Sequence, residues 1–165
     1  MMNCPMCILY CRGAETLITE MLGKEGHLIV NAQCGSWGEL IDILAEPMLG
    51  EGTVKPEFVE SAKDAVREFG GYMVLIEDIA FFHGKPETGV RELALTLALL
   101  NEPVFLLEKR IRAAFLLAAV DNTSHRGLLK ELSVFMTDEK CLDLLRKGED
   151  ADILMAKFKE VEERH

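Results

Sequence analysis

The sequence predicts an α/β domain, a three-layer α/β/α sandwich with a mixed central sheet flanked by helices. Short apolar segments of strand length alternate with amphipathic helical stretches before Asp121, and helical periodicity runs almost unbroken after it. At 165 residues and 49% hydrophobic content, the chain can bury one sizeable core but is short for two.

The elements follow in order. Residues 1–13 are rich in Cys and Met and end at Arg12-Gly13, which sets them apart as a tail from an expected domain at 14–165. Ala14 to Leu22 fits a short amphipathic helix, and His27 to Ala32 a strand. Ser36 is a suitable N-cap for a helix through Trp37, Leu40, Ile41 and Leu44, ending near Pro47 and Gly50 to Gly52. Pro56 sits at a first helical position, and Phe58, Val59, Ala62, Ala65, Val66 and Phe69 share one face before Gly70-Gly71 stops the helix. Arg67 lies in its last turn. Tyr72 to Glu77 and Asp78 to Phe82 are short apolar segments leading to His-Gly-Lys-Pro-Glu-Thr-Gly, which is loop chemistry, so His83 sits where a strand runs out. Strands are expected at Glu92 to Leu100 and Arg112 to Val120, with Pro103 to Leu107 unassigned between them. Helices are expected at Thr123 to Met136, Asp138 to Lys147 and Asp150 to Glu163, with Thr137 or Asp138 capping the second and Gly148 ending it.

Charge and cysteine usage narrow the function. With 18 Lys and Arg against 28 Asp and Glu, the formal charge is −10, which disfavours nucleic acid and anionic membranes and suits a basic protein partner. No apolar run approaches the roughly 20 residues of a spanning helix. The start lacks the basic and apolar regions of a signal peptide, and five cysteines, with Cys4, Cys7 and Cys11 crowded together, do not read as a secreted disulfide framework. A soluble, cytoplasmic protein is expected. Cys4-Pro-Met-Cys7 has the spacing of redox and metal sites but supplies two of the four ligands zinc takes, or three with Cys11. An incidental extension is the plainer reading, and a metal-binding protein built on these cysteines the rival one. Cys34 and Cys141 read as packing residues.

The histidines differ in setting. His27 opens a strand without a reactive neighbour and His165 is terminal, so neither suggests chemistry. His83, at a strand end beside Gly84, is exposed enough to meet a partner yet held by a rigid element. His125 begins a helix after Asp-Asn-Thr-Ser, near free backbone N–H groups and the positive end of the dipole, a setting that favours anions.

The stretches Asp78-Ile-Ala-Phe-Phe-His83-Gly-Lys-Pro-Glu-Thr-Gly-Val90 and Asp121-Asn-Thr-Ser-His125-Arg-Gly-Leu-Leu129 resemble the two signature regions of the mannitol/fructose/ascorbate-type enzyme IIA family of the sugar phosphotransferase system, the ascorbate-type branch in flavour. Glu57-Phe58-Val59-Glu60-Ser61-Ala62, followed by Arg67, resembles the helix carrying the family's active-site arginine, and the likeness runs over about Ala14 to Lys159. The resemblance implies that His83 is the phosphorylated histidine, with His125 the second active-site histidine and Arg67 the arginine. It further implies phosphoryl receipt from the phosphocarrier protein HPr, delivery to a cysteine of an enzyme IIB working with a membrane enzyme IIC, and no metal or cofactor. A neutral imidazole is a good nucleophile near neutrality, while Arg67 and His125 would stabilise charge on the transferring oxygens. Two residues depart from the family pattern: Asp78 replaces Gly and Phe82 replaces Pro. If both lie close to His83, the carboxylate would repel phosphate and the ring would mask the imidazole, so a regulatory module of the same fold, sensing phosphorylation without relaying it, is the alternative.

Overall fold

The computed structural model describes residues 18–164 apart from Glu87 and Glu149. The tail at 1–13, with Cys4, Cys7 and Cys11, lies outside the described residues, as do the start of the first expected helix and His165. In chain order the elements are α1 (Ile18–Leu22), β1 (Leu28–Ala32), α2 (Trp37–Glu51), α3 (Pro56–Phe69), a 3-10 turn (Gly70–Met73), β2 (Asp78–His83), β3 (Ala94–Leu106), β4 (Lys109–Ala118), α4 (Asn122–Met136), α5 (Glu139–Lys147) and α6 (Ala151–Arg164).

The strands form a mixed sheet in the order β1-β3-β4-β2, with β1 parallel to β3, β3 antiparallel to β4 and β2 parallel to β4. Alternation along the strands divides the core. Ala80, Phe82, Ala98, Ala114 and Leu116 face α2 and α3, whereas Ile79, Phe81, Leu97, Leu99, Phe115 and Leu117 face α1, α4, α5 and α6. Helices therefore cover both faces, which explains why β2 and β4 read as nearly continuous apolar runs. The three-layer expectation is met.

The local signals mark the helix ends closely. Ser36 Oγ accepts the Glu39 N–H, Asp121 accepts the Ser124 N–H, and Asp138 accepts from the N–H groups of Lys140 and Cys141. Gly52 and Gly148 close α2 and α5 in the left-handed conformation. Pro47 does not end α2, which runs on to Glu51. The largest departure is between the last two strands. The segment around Pro103, left unassigned from sequence, belongs to β3, and β3 and β4 form one long hairpin turning at Leu107-Glu108. Pro103 is tolerated because the ladder is broken between Leu99 and Val104, so no pairing bond is asked of its missing N–H.

His27 is buried at the entry to β1, its Nδ1 2.9 Å from the Leu95 carbonyl and its Nε2 3.0 Å from Glu51 Oε1. That pins β1 to β3 and α2, the structural part expected of it.

Candidate active site

Because β2 and β4 are parallel, their C-terminal ends lie side by side, with His83 paired to Leu117 in register. The chain leaving β4 turns within a few residues into α4. His83 is thus the last residue of an edge strand and His125 sits in the first turn of the helix following the neighbouring strand. Open α/β sheets commonly bind their ligands at such carboxyl ends. The imidazole rings meet edge-on, with centroids 4.8 Å apart.

Each ring is held from its own side. Phe82 points into the core between the sheet and α2–α3, so alternation sends His83 towards α4. Beyond His83 the loop is fastened to α3: the Lys85 N–H donates to Ser61 Oγ at 2.7 Å, and the Lys55 N–H donates to the Gly89 carbonyl at 2.7 Å. Gly84 packs so tightly that a Cβ there would lie 2.9 Å from Ser61 Oγ and 3.2 Å from both the Ala62 amide nitrogen and the Phe58 ring. Gly89 combines a φ of 70° with a similarly close approach, its would-be Cβ 2.8 Å from the Phe58 amide nitrogen. His125 is oriented by the Asp121 cap, whose carboxylate accepts from Ser124 while its carbonyl accepts the His125 N–H.

The two histidines open onto a groove of about 980 Å³ running along α3. Its α3 wall presents Glu57, Glu60, Ser61, Asp64 and Glu68; Lys85, Thr88 and Asn122 complete the polar lining beside the histidines. Both imidazoles titrate below their ordinary value. For His83 burial is the main cause and the neighbouring His125 charge the second, partly opposed by a hydrogen bond with the Gly84 backbone. For His125 burial is the cause. Both rings are therefore neutral at pH 7, and His83 presents an imidazole ready for nucleophilic attack.

Of the three residues the sequence singled out, His83 and His125 converge, but Arg67 is not among those lining the groove. Its guanidinium donates to Asp64 Oδ1 at 2.7 Å and lies over the Trp37 ring at 6.0 Å. Both departures from the family pattern also fall elsewhere than expected. Asp78 stands at the opposite end of β2 from His83, five residues and about 16 Å away at strand rise. There it accepts from Arg110 Nε at 2.6 Å and lies 3.9 Å from Arg146. Phe82 is fully buried in the core and is not among the residues lining the groove. The concern that a charge and a ring crowd His83 is corrected by the direction of the strand and by its twofold alternation.

Sequence reasoning missed Lys85, Ser61, Asn122 and the acidic stripe of α3. The stripe was detectable in principle, since 57, 60, 64 and 68 fall on one helical face beside the apolar one. Cys141 is buried, with its thiol pushed up to about 12 mainly by burial, and burial also raises Cys34; neither is an activated nucleophile.

Comparison with known proteins identifies the family. An ascorbate-specific PTS system EIIA component of Salmonella choleraesuis is 28% identical over 134 residues, covering 78% of this chain and 86% of the relative. The solution structure of the mannitol-specific cryptic phosphotransferase enzyme IIA of Escherichia coli superposes with a TM-score of 0.73 at 21% identity, covering 89% of this chain and 98% of the other. Enzyme IIA of the E. coli mannitol system, solved in complex with phosphorylated enzyme IIB, gives 0.70 at 21% identity over 81% of this chain and 96% of its own. The family model for the phosphoenolpyruvate-dependent sugar phosphotransferase system, EIIA 2, matches residues 21–161, most of the chain, and the chain belongs to that phosphotransferase family.

Proposed function

We propose that the protein is a cytoplasmic phosphocarrier in which His83 takes a phosphoryl group from HPr and gives it to a cysteine of an enzyme IIB, serving uptake of an ascorbate-, mannitol- or fructose-like sugar through a membrane enzyme IIC. The observation that carries this reading is the meeting of two neutral imidazoles at the mouth of an open groove, one on a rigid strand end and the other at a helix start. In the first step the ring nitrogen of His83 bonds to phosphorus as the donor's N–P bond breaks; in the second that new N–P bond breaks as the S–P bond to the acceptor forms. A phosphoramidate retains enough transfer potential for the second step. His125 then donates a hydrogen bond to the phosphoryl oxygens, reinforced by the positive end of α4. The acidic stripe along α3 favours basic partners and speeds their encounter. The 28% identical relative is ascorbate-specific, and a mannitol-type enzyme IIA of the same fold pairs with an enzyme IIB, which supports the cargo class and the acceptor. Among the described residues no helix is long and apolar enough to cross a membrane. Neither Asp78 nor Phe82 lines the groove, which favours the relay reading over the regulatory alternative.

Incubation with enzyme I, HPr and phosphoenolpyruvate is expected to place one acid-labile, base-stable phosphoryl group on His83, and a purified enzyme IIB to discharge it. His83→Ala should take no label while retaining the wild-type melting behaviour. A wild-type protein that binds HPr yet stays unlabelled would overturn the proposal.

A further inference from the structure

Phosphoryl transfer places negative charge on three oxygens, and the groove that would receive them is walled by four carboxylates. Lys85 is the one lysine or arginine among the described residues lining it. Its backbone is fixed two residues beyond His83 by the 2.7 Å bond to Ser61, and by the packing of Gly84 on α3. Its side chain is exposed and takes part in none of the ion pairs among the described residues, whereas Arg67 is engaged by Asp64 and Trp37. Resting on the phosphocarrier reading, we infer that Lys85 supplies the positive charge that binds and stabilises the phosphoryl group on His83, a catalytic part that resemblance had assigned to Arg67.

The chemistry suits the position. An ammonium on a flexible stem is a compact charge with three donors, able to follow the phosphoryl group as it arrives and leaves. It does not need the bidentate geometry of a guanidinium. No ion pair among the described residues holds the Lys85 ammonium, and any passing contact with the exposed carboxylates of the groove is weak enough for a phosphoryl group to displace. An exposed pair such as Arg67–Asp64 contributes little to stability, so its disruption by mutation should leave the fold intact and make the comparison clean.

The test is steady-state phosphorylation of wild type, Lys85→Met, Lys85→Arg and Arg67→Met by phosphorylated HPr, with kcat and KM for HPr determined separately. Lys85→Met is expected to lower kcat by about 10- to 1000-fold, the range for losing one charge-stabilising donor, with KM within about twofold. Lys85→Arg should recover most of the rate, and Arg67→Met should stay within about threefold of wild type. Lys85→Met transferring at the wild-type rate, raising KM alone, or losing less than Arg67→Met would overturn the inference. Labelling of the wild type stands as the separate control: its absence would count against the phosphocarrier reading instead.

Discussion

His83 and His125 titrate below the usual imidazole value of about 6.5, so the folded protein binds fewer protons than the unfolded chain as pH drops past that value. Their contribution to stability is therefore complete above about pH 6.5 and is lost as pH falls towards the lowered folded-state values. Transfer onto His83 follows the same sign. It should be flat from pH 8 to 6.5 and decline only below, and NMR titration of the two ring C–H signals is expected to give both midpoints under 6.5. Phosphorylation reverses the electrostatics at His125, because an anion replaces a neutral ring 4.8 Å from it. The His125 midpoint should then rise above that of the unphosphorylated protein, and phosphorylation at pH 6.5 to 7 should take up protons. A His125 midpoint unmoved by phosphorylation would show that the anion does not face that ring.

At the scale of elements, the site depends on how the loop after β2 seats on α3. Gly84→Ala puts a methyl against the Ala62 amide and the buried Phe58 ring, neither of which can swing aside as Ser61 can. The loop must lift, at a cost of about 1–3 kcal/mol as for other overpacked sites. His83 moves with it. We expect a melting point lowered by several degrees and transfer slowed at least about tenfold, since small misplacements of reacting atoms are costly. Native stability with slow transfer would mean that the loop adapts without strain and that His83 alone has shifted.

Across the whole molecule, the sheet keeps chemistry and stability at opposite ends of β2. Asp78 is buried with a φ of 72°, unusual outside glycine, and is paired with Arg110. Asp78→Ala would leave the strain and remove the pairing, costing about 1–3 kcal/mol in chemical denaturation. Phosphorylation of His83 should keep its wild-type rate, because the two groups are separated by the length of the strand. A variant that folds as well as wild type but transfers slowly would contradict that separation.

The caps at Ser36, Asp121 and Asp138, the apolar faces of α2 to α6 and the strand ending at His83 were all legible in the sequence, because capping and the periods of helix and strand are local properties of the chain. The order of the two histidine motifs also sufficed to suggest the family. The path of β3 through Pro103 was not legible, since a bulged strand is defined by the partner that pairs on either side of the break. Nor could local patterns decide the company of each charged group. The rotation of α3 on the sheet carries Arg67 towards Trp37 and turns its carboxylates into the groove. The parallel pairing of β2 with β4 brings His125 to His83 and leaves Asp78 at the far end with Arg110. These are contacts between residues distant in sequence, fixed only when the layers pack.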